Sequence, residues 1–196
     1  MSGRDIICIL IAYILGGICT GYYLVRLQKK IDVRDFGSGG VGARNTGRVL
    51  GKPGFIITLA GDLLKGLLAV SLARKFDLAP AVVSLVMVAV ICGHIWPPQL
   101  QFRGGRGIST AIGALLAYDF ELALVLLGLT IILMVFRRGF VLSGLGAFLL
   151  LPVVTYALHL PGHTTAALVG TSLIILFAHR ERIRKAIAEG LPEKEA

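Results

Sequence analysis

Charge is scarce in this sequence: 16% of its 196 residues are Asp, Glu, Lys or Arg, while 56% are hydrophobic and mean hydropathy is +0.82. That balance excludes an ordinary water-soluble domain. Acids are scarcer than bases, 11 against 20, for a net charge of +9. In a membrane chain such an excess belongs to cytoplasmic loops beside anionic lipid or an anionic substrate, and nucleic acid is not expected as a partner. Cysteine is limited to Cys8, Cys19 and Cys92, all inside apolar segments without metal-ligand spacing. They read as small buried hydrophobes; no metal and no cofactor is expected. The phosphate-binding G-x-x-x-x-G-K-[S/T] motif is absent, as are a Ser–His–Asp order, a nucleophile elbow and a zinc ligand set.

Long apolar runs are abundant. Ile6 to Val25 carries no charge over twenty residues, and a helix of that length rises about 30 Å, enough for the hydrocarbon layer. The run is too long for a cleavable signal peptide and lacks an A-x-A site, so it reads as a retained span. Six more spans follow, at about 53–73, 80–96, two within 108–136, 139–158 and 164–178. Polar "YDFE" at 118–121 splits the 108–136 run, and the fourth span is short for a full crossing. The expected fold is an all-α integral membrane protein of seven transmembrane helices, with 1–196 as a single domain.

Basic residues orient it. With the loop 26–52 inside, the inner segments carry Arg26, Lys29, Lys30, Arg34, Arg44, Arg48, Lys52, Arg103, Arg106, Arg137, Arg138, Arg180, Arg182, Arg184, Lys185 and Lys194. The outer segments keep Arg4, Arg74 and Lys75. This bias places the amino terminus outside and the carboxyl terminus in the cytoplasm. Gly17 with Gly21, and Gly144 with Gly146, read as helix-packing residues.

Three polar clusters then share the cytoplasmic side: the glycine-rich loop 26–52, the basic loop 97–107 and the tail 179–196. The first contains "GSGGVGARNTGR", with five glycines between Gly37 and Arg48. Glycine turns such as Gly37 and Gly39 bring backbone N–H groups to an anion, and arginine offers a planar two-pronged donor. The bland alternative is a flexible loop. Arg48, Lys52 and Arg106 are expected to hold phosphate, and Arg103 in "FRGGRG" serves a second phosphate or simply topology. His94 either braces its loop or takes part in chemistry; Trp96 reads as an interface anchor. Asp62 and Lys65 share one face of the second span, as an internal ion pair or as orienting groups. His179 and Arg180 cap the last span.

Together the strings "GSGGVGARNTGRVLGK", "GDLLKG", "GHIWPPQLQFRGGRG" and "HRERI" resemble the bacterial acyl-phosphate-dependent glycerol-3-phosphate acyltransferases, integral membrane enzymes, over nearly the whole chain and in the same order. The resemblance implies seven spans in the bacterial cell inner membrane and an active site near the cytoplasmic face. It implies transfer of a fatty acyl group from acyl phosphate to the 1-hydroxyl of sn-glycerol 3-phosphate, giving 1-acylglycerol 3-phosphate and inorganic phosphate. It carries over Ser38, Asn45 and Arg48, then His94, Gly104, Gly105 and Gly107, then His179. The family pattern has asparagine where this chain has Gly40, threonine at Arg44, lysines at Arg103 and Arg106, and asparagine at Arg182. Ser38, Arg48 and His179 are the expected catalytic residues, acting by direct transfer without an acyl-enzyme. Acyl phosphate, sn-glycerol 3-phosphate and membrane lipid are the expected partners of a monomer. The rival readings are a transporter of a phosphate-bearing metabolite or lipid, and a membrane scaffold.

Overall fold

A computed structural model describes residues 1–136 and 139–189 of the chain. Arg137, Arg138 and Lys194, used above for orientation, lie outside the described residues. The chain divides into two compact units, Met1–Tyr118 and Asp119–Ala196. All regular elements among the described residues are helical. The first unit holds α1 (Gly3–Gly17), α2 (Thr20–Lys29), α3 (Ala43–Lys75), α4 (Pro80–Ile95) and α5 (Ile108–Tyr118), with 3₁₀ turns at Val33–Asp35 and Pro98–Leu100. The second holds α6 (Phe120–Val135), α7 (Phe140–Ala157), α8 (Gly162–Ala178) and α9 (Arg180–Glu189).

The first expected span is one apolar stretch, Gly3–Lys29, but it is broken after Gly17. The glycine pair at 16 and 17 disfavours continuous helix, and the carbonyls freed at the break find side-chain donors. Gln99 Nε2 donates to Gly17 O at 2.6 Å and Lys65 Nζ donates to Ile18 O at 2.9 Å. The expected polar loop 26–52 is largely ordered: α2 continues to Lys29, and helix resumes at Ala43. Within α3, Gly51 leaves helical geometry at φ 73. Pro53 follows it in the first turn of the apolar piece, where its missing N–H costs no hydrogen bond.

Helices of the first unit meet through glycine. A Cβ on Gly16 would strike the carbonyl of Val90, and one on Gly93 would strike that of Tyr13, so α1 and α4 touch backbone to backbone. Gly66 meets Thr110 O and Gly113 meets Leu63 O in the same way between α3 and α5. Close approach of this kind suits lipid, where dispersion and not water exclusion draws helices together. Of the glycines expected to pack, Gly17 and Gly21 do, against Gln99 and against Val41 and Thr46, and Gly146 rests on Leu133; Gly144 faces open space.

Outward faces are apolar. Ile7, Ile11, Ile14 and Ile18 form one exposed stripe of the first stretch, and Leu124, Leu127 and Ile131 another on α6. A soluble protein would place charge there; these faces suit lipid. Four stretches are long and apolar enough to cross a membrane, Gly3–Lys29, Ala43–Lys75, Pro80–Leu100 and Phe140–Ala157, and a fifth if α8 and α9 count together. α5 and α6 are shorter. Asp119 separates them by capping α6, its Oδ1 accepting from Leu122 N at 3.0 Å.

Candidate active site

The glycine loop is fastened from within by one side chain. Asn45 is buried, and its Nδ2 donates to the carbonyls of Val33, Phe36 and Gly40 at 2.9, 2.9 and 2.8 Å. Its Oδ1 accepts from Ser38 N at 3.0 Å. The amide is therefore occupied by backbone, and its effect is to fix the path of residues 36–45. Gly37 and Gly39 sit at φ 56 and 68, where glycine is favoured. A Cβ on Gly37 would collide with Asn45 Oδ1, and it would lie 3.2 Å from Arg48 Cδ and 3.3 Å from its Nη1. The Arg48 side chain thus runs beside the turn that carries Ser38. Ser38, Arg44, Arg48 and Lys52 are exposed.

A second loop is brought to the first by a small apolar core of Cys19, Val25, Val33, Val41 and Leu100. Above it Arg34 joins both loops. Its Nε and Nη2 fork onto Asp32, with 2.6 Å between Nη2 and Oδ2, while Nη1 donates to Leu100 O at 2.9 Å and the guanidinium lies over the Tyr22 ring. The hydrogen bonds from Arg34 hold the Asp32 carboxyl below the usual carboxylate value, and Asp32 raises Arg34 in turn. Composition reasoning passed over this pair because Arg34 looked like one more inside charge. The signal was present: Asp32 is the acid two residues before it, at the spacing of a local Asx turn.

Beneath the second loop lies a buried polar knot. Lys65 Nζ stands 2.9 Å from Asp62 Oδ1 and 2.7 Å from His94 Nδ1, with Asp62 Oδ1 3.7 Å from the same imidazole nitrogen. Asp62 Oδ1 accepts no hydrogen bond of good angle, so the contact with Lys65 is an ion pair. The three side chains are buried, and their third-span member also shapes the loop. His94 O accepts from Gly105 N at 3.0 Å and Ile95 O from Gly104 N at 3.1 Å. A Cβ on Gly105 would run into His94 Nε2, and one on Gly104 into His94 O and Pro97. Gly107, at φ 87, turns the chain towards α5. Arg103 is exposed and Arg106 half-buried along this loop. Tyr13 donates to Trp96 O at 2.5 Å, tying the end of α4 to α1.

The chain's resemblance to known proteins now bears on these loops. A family model described as glycerol-3-phosphate acyltransferase matches residues 6–189. The chain belongs to the glycerol-3-phosphate acyltransferase family. Glycerol-3-phosphate acyltransferase 1 of Desulfitobacterium hafniense is 45% identical over 93% of this chain and 91% of its own. The namesake from Bacillus cereus is 39% identical over 92% of this chain and 100% of its own. Among solved structures, PlsY, an integral membrane glycerol 3-phosphate acyltransferase in its glycerol 3-phosphate form, superposes with a TM-score of 0.88 at 27% identity, covering 99% of this chain and 96% of that one. Membership of the glycerol-3-phosphate acyltransferase family makes this an integral membrane chain, in keeping with its apolar faces.

The third expected cluster of this family member lies in the second unit. His179 is buried where α8 ends, and its Nδ1 is 2.8 Å from Ile175 O. A carbonyl only accepts, so Nδ1 carries a proton. Arg180 is exposed, with its guanidinium 4.4 Å over the Phe177 ring and Nη1 donating to Phe177 O at 3.1 Å.

Proposed function

We propose that this chain transfers a fatty acyl group from acyl phosphate to the 1-hydroxyl of sn-glycerol 3-phosphate. The products are 1-acyl-sn-glycerol 3-phosphate and inorganic phosphate. The family supports the acceptor and the reaction type. The observation that carries the site is the pair of glycine loops, one fixed by Asn45 and one by His94, joined through Arg34 and Leu100 and flanked by Arg48, Arg103 and Arg106. Such a surface suits two phosphates on neighbouring ligands, one on each substrate.

Acyl phosphate is already activated, so the protein has to align and to stabilise charge. The acceptor hydroxyl oxygen attacks the acyl carbon, the bond from that carbon to the phosphate oxygen breaks, and phosphate leaves. The hydroxyl proton passes to the leaving phosphate or to His179. Ser38 donates to phosphate or to the carbonyl oxygen, and Arg48, Arg106 and Lys52 hold phosphate. Among the described residues no base is hydrogen-bonded to the Ser38 side chain, which favours direct transfer over an acyl-enzyme. Asp62 and Lys65 act from beneath by holding His94. The acyl chain stays in the bilayer, and the loops face the cytoplasm.

Purified protein supplied with acyl phosphate and labelled glycerol 3-phosphate should release labelled 1-acylglycerol 3-phosphate, while acyl-CoA and acyl carrier protein give none. Absence of product from folded protein would sink the reading. Uptake of phosphate compounds by sealed vesicles without acyl transfer would favour a transporter instead. A rapid burst of acylated Ser38 would reject direct transfer. Arg48→Ala should weaken glycerol 3-phosphate or acyl phosphate use, seen as a raised KM.

A further inference from the structure

The end of the described chain has a feature the reaction does not use. α8 and α9 meet at an angle of 64°. The corner is fastened by side chains. His179 engages Ile175 O through both its backbone N–H and Nδ1, and Arg180 reaches back to Phe177 O while stacking on that ring. A membrane helix such as α8 tilts about 20° from the bilayer normal on average, so a 64° corner turns α9 away from the normal, towards the membrane plane.

α9 has the side chains for that position. At 100° per residue, Ile183, Ala186 and Ile187 fall within an arc of about 100°, Arg184 and Lys185 fall on the other side with Glu181, and Arg180 and Arg182 border the arc on either flank. Ile187 is 78% exposed, although it belongs to the apolar arc. Four bases, Arg180, Arg182, Arg184 and Lys185, stand against Glu181 over the first six residues. A basic helix with a separate apolar arc, entered directly from a membrane segment, matches a surface that is negative above and apolar below.

We propose that α9 is an interfacial helix that lies on the bilayer carrying this chain, with Ile183 and Ile187 at the boundary between headgroups and acyl chains and its basic side chains on anionic phospholipid headgroups. Arginine and lysine reach up from such a helix while their stems cover apolar surface. Each base close to an anionic leaflet strengthens attachment by about fivefold.

The test places an environment-sensitive label on Ile187→Cys or Lys185→Cys, in a chain whose Cys8, Cys19 and Cys92 are alanine, reconstituted in nanodiscs of phosphatidylcholine with or without phosphatidylglycerol. With phosphatidylglycerol, the label at 187 should be quenched by lipids brominated high on the acyl chain and shielded several-fold from aqueous iodide; the label at 185 should remain open to iodide. Without phosphatidylglycerol the shielding at 187 should fall several-fold. Equal iodide quenching at both positions overturns the proposal. Shielding at 187 without bromolipid quenching assigns the face to protein and also overturns it, as does shielding that ignores the lipid charge. Hydrogen exchange of the unaltered chain gives an independent check, with amides of 180–189 exchanging more slowly in the phosphatidylglycerol discs. Unchanged exchange counts against the inference.

Discussion

Asn45 makes four hydrogen bonds to loop backbone, and no other residue type repeats that pattern. Aspartate has the same shape but replaces the donors with a carboxylate facing three carbonyls. Asn45→Asp should therefore destabilise the loop at least as much as Asn45→Ala, by about 2 kcal/mol or more. Thermal melts in detergent alongside activity would check it, and a variant of wild-type stability and turnover would contradict the assignment. Sequence placed Asn45 in the motif but read it as a ligand contact; which partners an amide takes depends on the folded loop. Ser38→Ala tests a direct contact, with turnover expected to fall about 10²-fold at unchanged stability. The Arg34–Asp32 fork adds a pH expectation. Its carboxyl is held low in the folded chain, so its stabilisation is complete above the unfolded carboxylate value of about 3.9 and is lost as pH falls through the depressed folded value. Loop order should thus survive mild acid, and Asp32→Asn should remove this part of the acid dependence, as read from melting temperature across pH.

At the scale of elements, apolar runs and prolines made the helices legible. Pro53, Pro80 and the polar break at Asp119 lie at or near boundaries in the structure as in the sequence reading. The break at Ile18 was not legible, because it depends on Lys65 and Gln99, which arrive from elsewhere in the chain to satisfy its carbonyls. Glycine shows the same division. Gly93 and Gly144 look alike in sequence, yet Gly93 abuts the Tyr13 carbonyl while Gly144 has nothing within 4 Å. Gly93→Leu should force α1 and α4 apart at a cost of about 1–3 kcal/mol or more. Gly144→Ala should leave function intact and stabilise α7 by about 0.5–1 kcal/mol, since helical glycine costs that much relative to alanine. Paired melts of the two variants decide it; similar losses for both would show that glycine propensity and not contact governs these helices.

At the scale of the whole molecule, the two short helices decide how often the chain crosses the bilayer. α5 has 11 residues and α6 has 16, rising about 16 and 24 Å against a hydrocarbon core of about 30 Å. Four longer stretches cross on length and composition, and α8, before its bend into α9, adds a fifth crossing. Adding α5 and α6 as two crossings gives seven and keeps the number odd. The termini therefore face opposite sides in either arrangement, and a test at the ends cannot separate the two. Asp119 can, because it caps α6 at the turn between the short helices. In a seven-span chain it reaches the outer surface; if the two helices turn back without crossing, it stays within the bilayer. Asp119 and Glu121 at the turn favour full crossing, because a re-entrant pair would leave both carboxylates within the bilayer, where charge is costly. Local thinning or tilt accommodates a short helix at a modest cost per ångström. Single cysteines at Asp119, at exposed Asp77 and at Phe102 should then react with an impermeant maleimide from outside, from outside and from inside, respectively. Labelling of Asp77→Cys but not Asp119→Cys in intact cells, with both proteins folded, would replace the seven-span arrangement by five crossings and a re-entrant pair.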